Sequence, residues 1–140
     1  MIAIALCRGE LGTMASASQD TGDEFAPLVA VARNYLDGMM YVDEAKLRRA
    51  FHPKCHVVGH FRGRLEFDSL DAFIDACKKE GSIPAGTPYF AEIVSVDVTG
   101  DTAVVKLIDD YLGIRFTDYL TMVKTEGRWI IVNKAFYVHG

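Results

Sequence analysis

Three glycines, Gly100, Gly113 and Gly127, divide the chain from residue 90 to 138 into four stretches of similar length. No other feature limits the fold as tightly. Each stretch is rich in Val, Ile, Thr and Tyr, which predicts strands at about 90–99, 102–111, 114–124 and 129–138. Two-residue hairpins at Gly100-Asp101, Leu112-Gly113 and Glu126-Gly127 would set the pairing, because a slip of one residue turns every side chain to the other face. Val94, Val96 and Val98 then oppose Leu107, Val105 and Ala103. Val105 and Leu107 oppose Leu120 and Asp118, and Leu120 and Met122 oppose Asn133 and Ile131. One face thereby collects Val94, Val96, Val98, Val105, Leu107, Ile114, Phe116, Leu120, Met122, Trp129, Ile131 and Ala135. A face this apolar has to be covered by other elements.

The cover comes from upstream. Phe25, Leu28, Val29, Ala32, Leu36, Met39 and Met40 recur at helical spacing from Glu24, with Pro27 in the expected first turn. Asp43 is placed to cap a shorter helix burying Leu47, Ala50 and Phe51, which Pro53 ends. A strand from about Cys55 to Phe61, a turn at Gly63 and a second strand ending near Phe67 follow. Asp68 or Ser69 then caps a third helix carrying Leu70, Phe73, Ile74 and Cys77. The expected fold is α+β: three N-terminal helices packed on a curved antiparallel sheet, leaving a cone-shaped pocket beneath them. Residues 1–22, broken by Gly9, Gly12, Ser16, Ser18 and Gly22, read as an extension, with Met14 a possible alternative start, and 23–140 as the domain.

Half of the 140 residues are apolar, enough for a buried core without metal or disulfide staples. The net charge of -4 is dispersed and no basic block forms, so neither a nucleic-acid surface nor a membrane patch is expected. Cys7, Cys55 and Cys77 are an odd number without C-x-x-C spacing, which points to reduced thiols. The apolar run Ile2 to Leu6 is short and has no basic residues before it, and the expected location is cytoplasmic.

On the apolar face five polar side chains need an explanation: Glu92, Asp109, Asp118, Asn133 and Tyr137. The register sets Glu92 opposite Asp109 and Asp118 diagonal to it, at roughly 6–8 Å between β-carbons. Carboxylates crowded on a desolvated face cannot all ionise freely, so one would have a raised pKa suited to general acid–base work. The alternative is that Glu92 and Asp109 sit in water at the sheet's end while Asp118 bonds a backbone group. Asp118 is the candidate catalytic base, assisted by His60, Asn133 or Tyr137. Tyr35, beside the apolar stripe of the first helix, either points its hydroxyl into the pocket or only packs, and Phe116 and Trp129 are further candidates for the lining. His52, His56 and His60 are spaced by four, but Pro53 takes the last two onto a strand, where they lack a third ligand, so no metal site is expected. Cys77 lies on a buried helix stripe and reads as packing. Gly59, Gly63 and Gly81 stand apart and form no phosphate loop, and no cofactor is expected.

The opposite face mixes Ser95, Asp97, Lys106, Asp110, Arg115 and Thr117 with Tyr119, Val123, Ile130, Val132 and Phe136. It is too apolar on one side for water alone, which predicts a homodimer through this outer sheet face.

The order of elements, with Gly-Arg-Trp opening the last strand, resembles the nuclear transport factor 2-like superfamily. Leu47 to Pro53 (LRRAFHP), Ser69 to Phe73 (SLDAF) and Phe116 to Phe136 (FTDYLTMVKTEGRWIIVNKAF) are similar to its lumazine-binding branch, a neighbour of the SnoaL-like polyketide cyclases and ketosteroid isomerases. The resemblance covers about residues 24–138. It implies a cone-shaped (cystatin-like) pocket between the first helix and the sheet, and dimerisation through the sheet; it transfers no mechanism. Three functions fit: binding of a small, largely apolar molecule in the pocket, an isomerase, cyclase or dehydratase using Asp118, and a protein-interaction module using the outer face.

Overall fold

The computed structural model describes residues 15–140. Most of the expected N-terminal extension, with Cys7 and Met14, lies outside the described residues. Helix α1 runs Ala15–Met40, so it begins before Glu24 and Pro27 falls inside it rather than in its first turn. Glycine and serine lower helix propensity without forbidding the conformation, while Pro27 removes the bond its own N–H would make and crowds the carbonyl one turn earlier, a local cost. Leu28, Ala32, Tyr35, Leu36 and Met39 form the buried stripe.

Helix α2 is Glu44–Ala50, its first turn closed by the Asp43 carboxylate accepting from Lys46 N at 3.2 Å. Strand β1 starts immediately, at Phe51, and runs to Phe61 through Pro53. After β2, Arg64–Ser69, the Ser69 hydroxyl accepts from Ala72 N and caps α3, Leu70–Glu80. The meander follows as β3, Ala91–Thr99; β4, Thr102–Tyr111; β5, Ile114–Thr125; and β6, Arg128–Val138. Its three two-residue turns stand where the glycines predict them. Leu112 and Glu126 take positive φ just before Gly113 and Gly127, the pairing of signs that a tight hairpin turn with the right twist requires.

The sheet is larger than the expected four-stranded meander. It has six strands in the order β2-β1-β6-β5-β4-β3, and β1 joins β6 in parallel. Helices α1, α2 and α3 contribute Leu36, Leu47 and Phe73 to a core shared with Val105, Leu120 and Ile131 of the inner face. Gly59 permits a close approach of β1 to β6, since a β-carbon there would meet the Phe136 carbonyl oxygen at 2.6 Å.

Two irregularities change which residues face inward. Val94 is an extra residue in β3 between Ile93, paired with Leu107, and Ser95, paired with Lys106. Ala91 therefore opposes Asp109, and Glu92, expected there, opposes Ile108 and is exposed. Val132 is likewise extra in β6: Met122 still opposes Ile131, but Thr121 takes Asn133 and Leu120 takes Lys134. Beyond this bulge the inward positions are Lys134 and Phe136 instead of Asn133, Ala135 and Tyr137. A β-bulge adds one residue to one strand and so reverses the alternation beyond it.

Candidate functional site

A cavity of about 320 Å³ lies between α1, α3 and the inner sheet face. Apolar side chains from every side line it: Met39, Val57, Phe61, Phe73, Phe116 and Phe136. Arg62, Arg64, Glu66 and Glu80 also line it, and Arg62 with Arg64 and Glu80 is exposed, so this charged cluster is its solvent end. Tyr35, Asp109 and Lys134 line it too, and these are buried, with Tyr35 and Asp109 at 0% and Lys134 at 4% exposure. They mark its closed end.

Register explains how these groups meet. Leu107 pairs with Asp118 and Phe116 with Asp109, so the two aspartates are diagonal neighbours on β4 and β5, as the turn at Gly113 predicted. Asp118 pairs with Phe136 and Leu120 with Lys134, which makes Lys134 the diagonal neighbour of Asp118 on the other side. From α1 the Tyr35 hydroxyl donates to Asp118 Oδ2 at 2.6 Å. The Lys134 ammonium lies 4.7 Å from the centre of the Tyr35 ring, 4.6 Å from that of Phe73 and 5.5 Å from that of Phe136. It forms no ion pair among the described residues.

The electrostatics follow from burial. If both aspartates were ionised, Asp109 Oδ1 and Oδ2 and Asp118 Oδ1 would be buried without any donor. A proton on Asp109 removes one of these buried charges beside its diagonal neighbour Asp118. Loss of hydration, and then the charge of Asp118, push the Asp109 carboxyl up to about 8, with Lys134 pulling the other way. Asp109 therefore keeps its proton near neutral pH. Burial first, and then Asp118 and Asp109, hold the Tyr35 phenol well above its ordinary range, so it stays a donor. Such a cluster can give or take one proton at a group in the cavity without changing its surroundings.

The other residues singled out from sequence are dispersed. Phe116 lines the cavity. Trp129 is buried in the core away from the cavity wall. Asn133 and Tyr137, expected on the inner face, turn outward because of the bulge at Val132, and Tyr137 is 61% exposed. Phe136, expected outside, turns inward for the same reason. His60 is exposed on the outer side of β1, since Val57, Gly59 and Phe61 hold the inner positions. It shares that side with His56, whose ring meets Phe67 edge-on. Among the described residues no three His, Cys, Asp or Glu side chains come together as a metal site needs. Cys55 and Cys77 are buried and unpaired, and burial pushes the Cys55 thiol up to about 11, away from nucleophilic character. Lys134 is the functional candidate that the sequence reading missed. The signal was weak: Ile130, Ile131 and Val132 are apolar on both faces, so nothing marks where alternation breaks.

The fold and chain have known counterparts. A protein of unknown function from Silicibacter pomeroyi DSS-3, described as nuclear transport factor 2-like, is 38% identical with a TM-score of 0.80 over 85% of this chain and 98% of its own. A second, from Shewanella baltica OS155, is 26% identical with a TM-score of 0.75 over 84% of this chain and 95% of its own. "Aldolase FrzH" from Cladobotryum sp is 28% identical over 119 residues, covering 84% of this chain and 93% of that protein. No helix among the described residues is long and apolar enough to cross a membrane. Residues 23–137 match the family described as "Putative lumazine-binding", and with that span and this architecture the chain belongs to that family, a branch of the nuclear transport factor 2-like superfamily.

Proposed function

We propose that the protein is an acid–base enzyme that binds a small, largely apolar carbonyl compound in the cavity and moves a proton at the carbon next to the carbonyl. One observation carries this reading: Tyr35 donates to Asp118, and Asp109, the diagonal neighbour of Asp118, lies buried on the cavity wall with its carboxyl pushed up to about 8. A carboxyl tuned near ambient pH in an apolar cleft is what enolisation requires. Asp109 is the member that meets the substrate. Asp118, expected from sequence to be the base, acts beside it by holding the Tyr35 proton and raising the proton affinity of Asp109. Enolisation underlies isomerisation, dehydration and aldol chemistry alike, and the similarity to a protein named an aldolase favours carbon–carbon bond formation or cleavage. The cavity is near the lower end of ligand-pocket sizes, which fits a substrate of one or two rings.

Exchange of α-hydrogens in D2O, followed by NMR on a panel of aryl-alkyl ketones and cyclic diketones, tests the reading. Exchange faster than in buffer, and abolished in Asp109→Asn, is expected. Wild-type rates equal to those of the variant for the whole panel would contradict it.

A specific observation also supports the expected dimer. Leu65, Phe67, Tyr119 and Tyr137 are large, exposed side chains on the outer face, at 58%, 65%, 42% and 61% exposure. A homodimer through this face would bury them. Sedimentation should give twice the chain mass, with Tyr137→Glu and Phe67→Glu together giving monomer; a wild-type monomer at every concentration would refute the dimer.

A further inference from the structure

Lys134 plays no necessary part in simple proton transfer, yet burying an ammonium is expensive and invites explanation. The residue is buried at 4% exposure, its nitrogen lies over three aromatic rings, and it forms no ion pair among the described residues. It lines the same closed end of the cavity as Asp109, and its charge is felt there. A structural lysine would end in solvent or on a carboxylate; this one ends beside a space for a ligand and an acid.

We infer that Lys134 is a covalent catalytic residue whose ε-amine condenses with a ketone or aldehyde in the cavity to form a Schiff base, with Asp109 moving the protons. The inference rests on the acid–base reading above and deepens it. In molecules whose Asp109 is ionised, a fraction that grows as pH rises towards 8, Lys134 gives one ammonium proton to the Asp109 carboxylate, and the amine lone pair forms the C–N bond as the carbonyl π pair moves to oxygen. A nitrogen proton passes to that oxygen, Asp109 protonates the resulting hydroxyl, and the C–O bond breaks, releasing water and leaving a C=N iminium. The Asp109 carboxylate then takes the α-hydrogen, and the freed pair flows towards nitrogen to give an enamine. That carbon can add to a second carbonyl, or, in reverse, form when a carbon–carbon bond breaks. The ring faces of Tyr35, Phe73 and Phe136 hold the cationic iminium as they hold the ammonium. The substrate class is accordingly a ketone or aldehyde carrying an α-hydrogen, of a size with the cavity.

Benzylacetone with sodium cyanoborohydride is the direct probe. Reduction of the imine fixes one probe molecule, less its oxygen, to the lysine, and peptide mapping should place the adduct on Lys134 with at least about tenfold preference over the other lysines. In parallel, α-hydrogen exchange of benzylacetone is measured on the wild type and on Lys134→Arg, which keeps the charge but cannot condense. Loss of both adduct and exchange in the variant, with unchanged Tm, supports the covalent role. Wild-type exchange without an adduct on Lys134, or full exchange in Lys134→Arg, would overturn it while leaving the acid–base reading intact. Neither exchange nor adduct in the wild type would overturn both.

Discussion

Asp109 and Asp110 are consecutive residues of one strand with opposite fates. Asp109 points inward, is fully buried, and its carboxyl is pushed up to about 8 by lost hydration and by Asp118. Asp110 points outward and takes both Arg115 N–H groups in a fork, at 2.7 and 2.9 Å, which holds its carboxyl below the usual range. The same side chain becomes a proton reservoir or a surface anion according to which side of the pleat it occupies. The lesson extends to β6, two strands away, where Lys134 faces the cavity and Asn133 does not.

Substitutions can break or sharpen that contrast. Asp109→Asn should slow α-hydrogen exchange by about 10²–10⁴-fold, the usual contribution of a positioned acid or base, whereas Asp110→Asn should leave the rate unchanged. Equal losses in the two variants would mean that burial is not the distinguishing cause. The wild-type rate should rise with pH through a midpoint near 8 as Asp109 loses its proton and becomes a base.

Stability should diverge next. The folded-state pKa of Asp109, about 8, is raised above its ordinary 3.8, so its contribution is fully present below the lower value and is lost as pH rises through the higher one. Asp109→Asn removes that dependence. The variant should match the wild type in Tm near about pH 4 and exceed it increasingly up to about pH 9, by on the order of several kcal/mol at most. A constant difference would contradict the assignment.

Smaller effects follow. Gly59→Ala should destabilise by about 1–3 kcal/mol, because the added β-carbon forces the Phe136 backbone away and disturbs the ring over Lys134; thermal melts check this. Asp110→Asn should leave Tm unresolved from wild type, since its fork with Arg115 is solvent-exposed.

Much of this contrast was legible in the chain itself. The three glycine turns and the diagonal of Asp109 and Asp118 follow from spacing, because hairpin geometry transmits register from turn to strand. The bulges at Val94 and Val132 were not legible. Both sit in runs of β-branched and apolar residues, where either face accepts the side chain, and each reversed the residues beyond it. That is why Glu92, Asn133 and Tyr137 left the expected site and Lys134 entered it. The parallel pairing of β1 with β6 was equally hidden, since it joins segments remote in sequence through no turn. His60 followed from that strand: its inward positions belong to Val57, Gly59 and Phe61.

Asp109 keeps its proton near neutral pH because burial, and then the charge of Asp118, hold it there. A carboxyl-carbon NMR titration, with the resonance assigned by its loss in Asp109→Asn, measures this directly. The account predicts a transition near 8 for Asp109 that is displaced downward when Asp118→Asn removes the neighbouring charge. A transition near the ordinary 3.8, unaffected by that substitution, would contradict it.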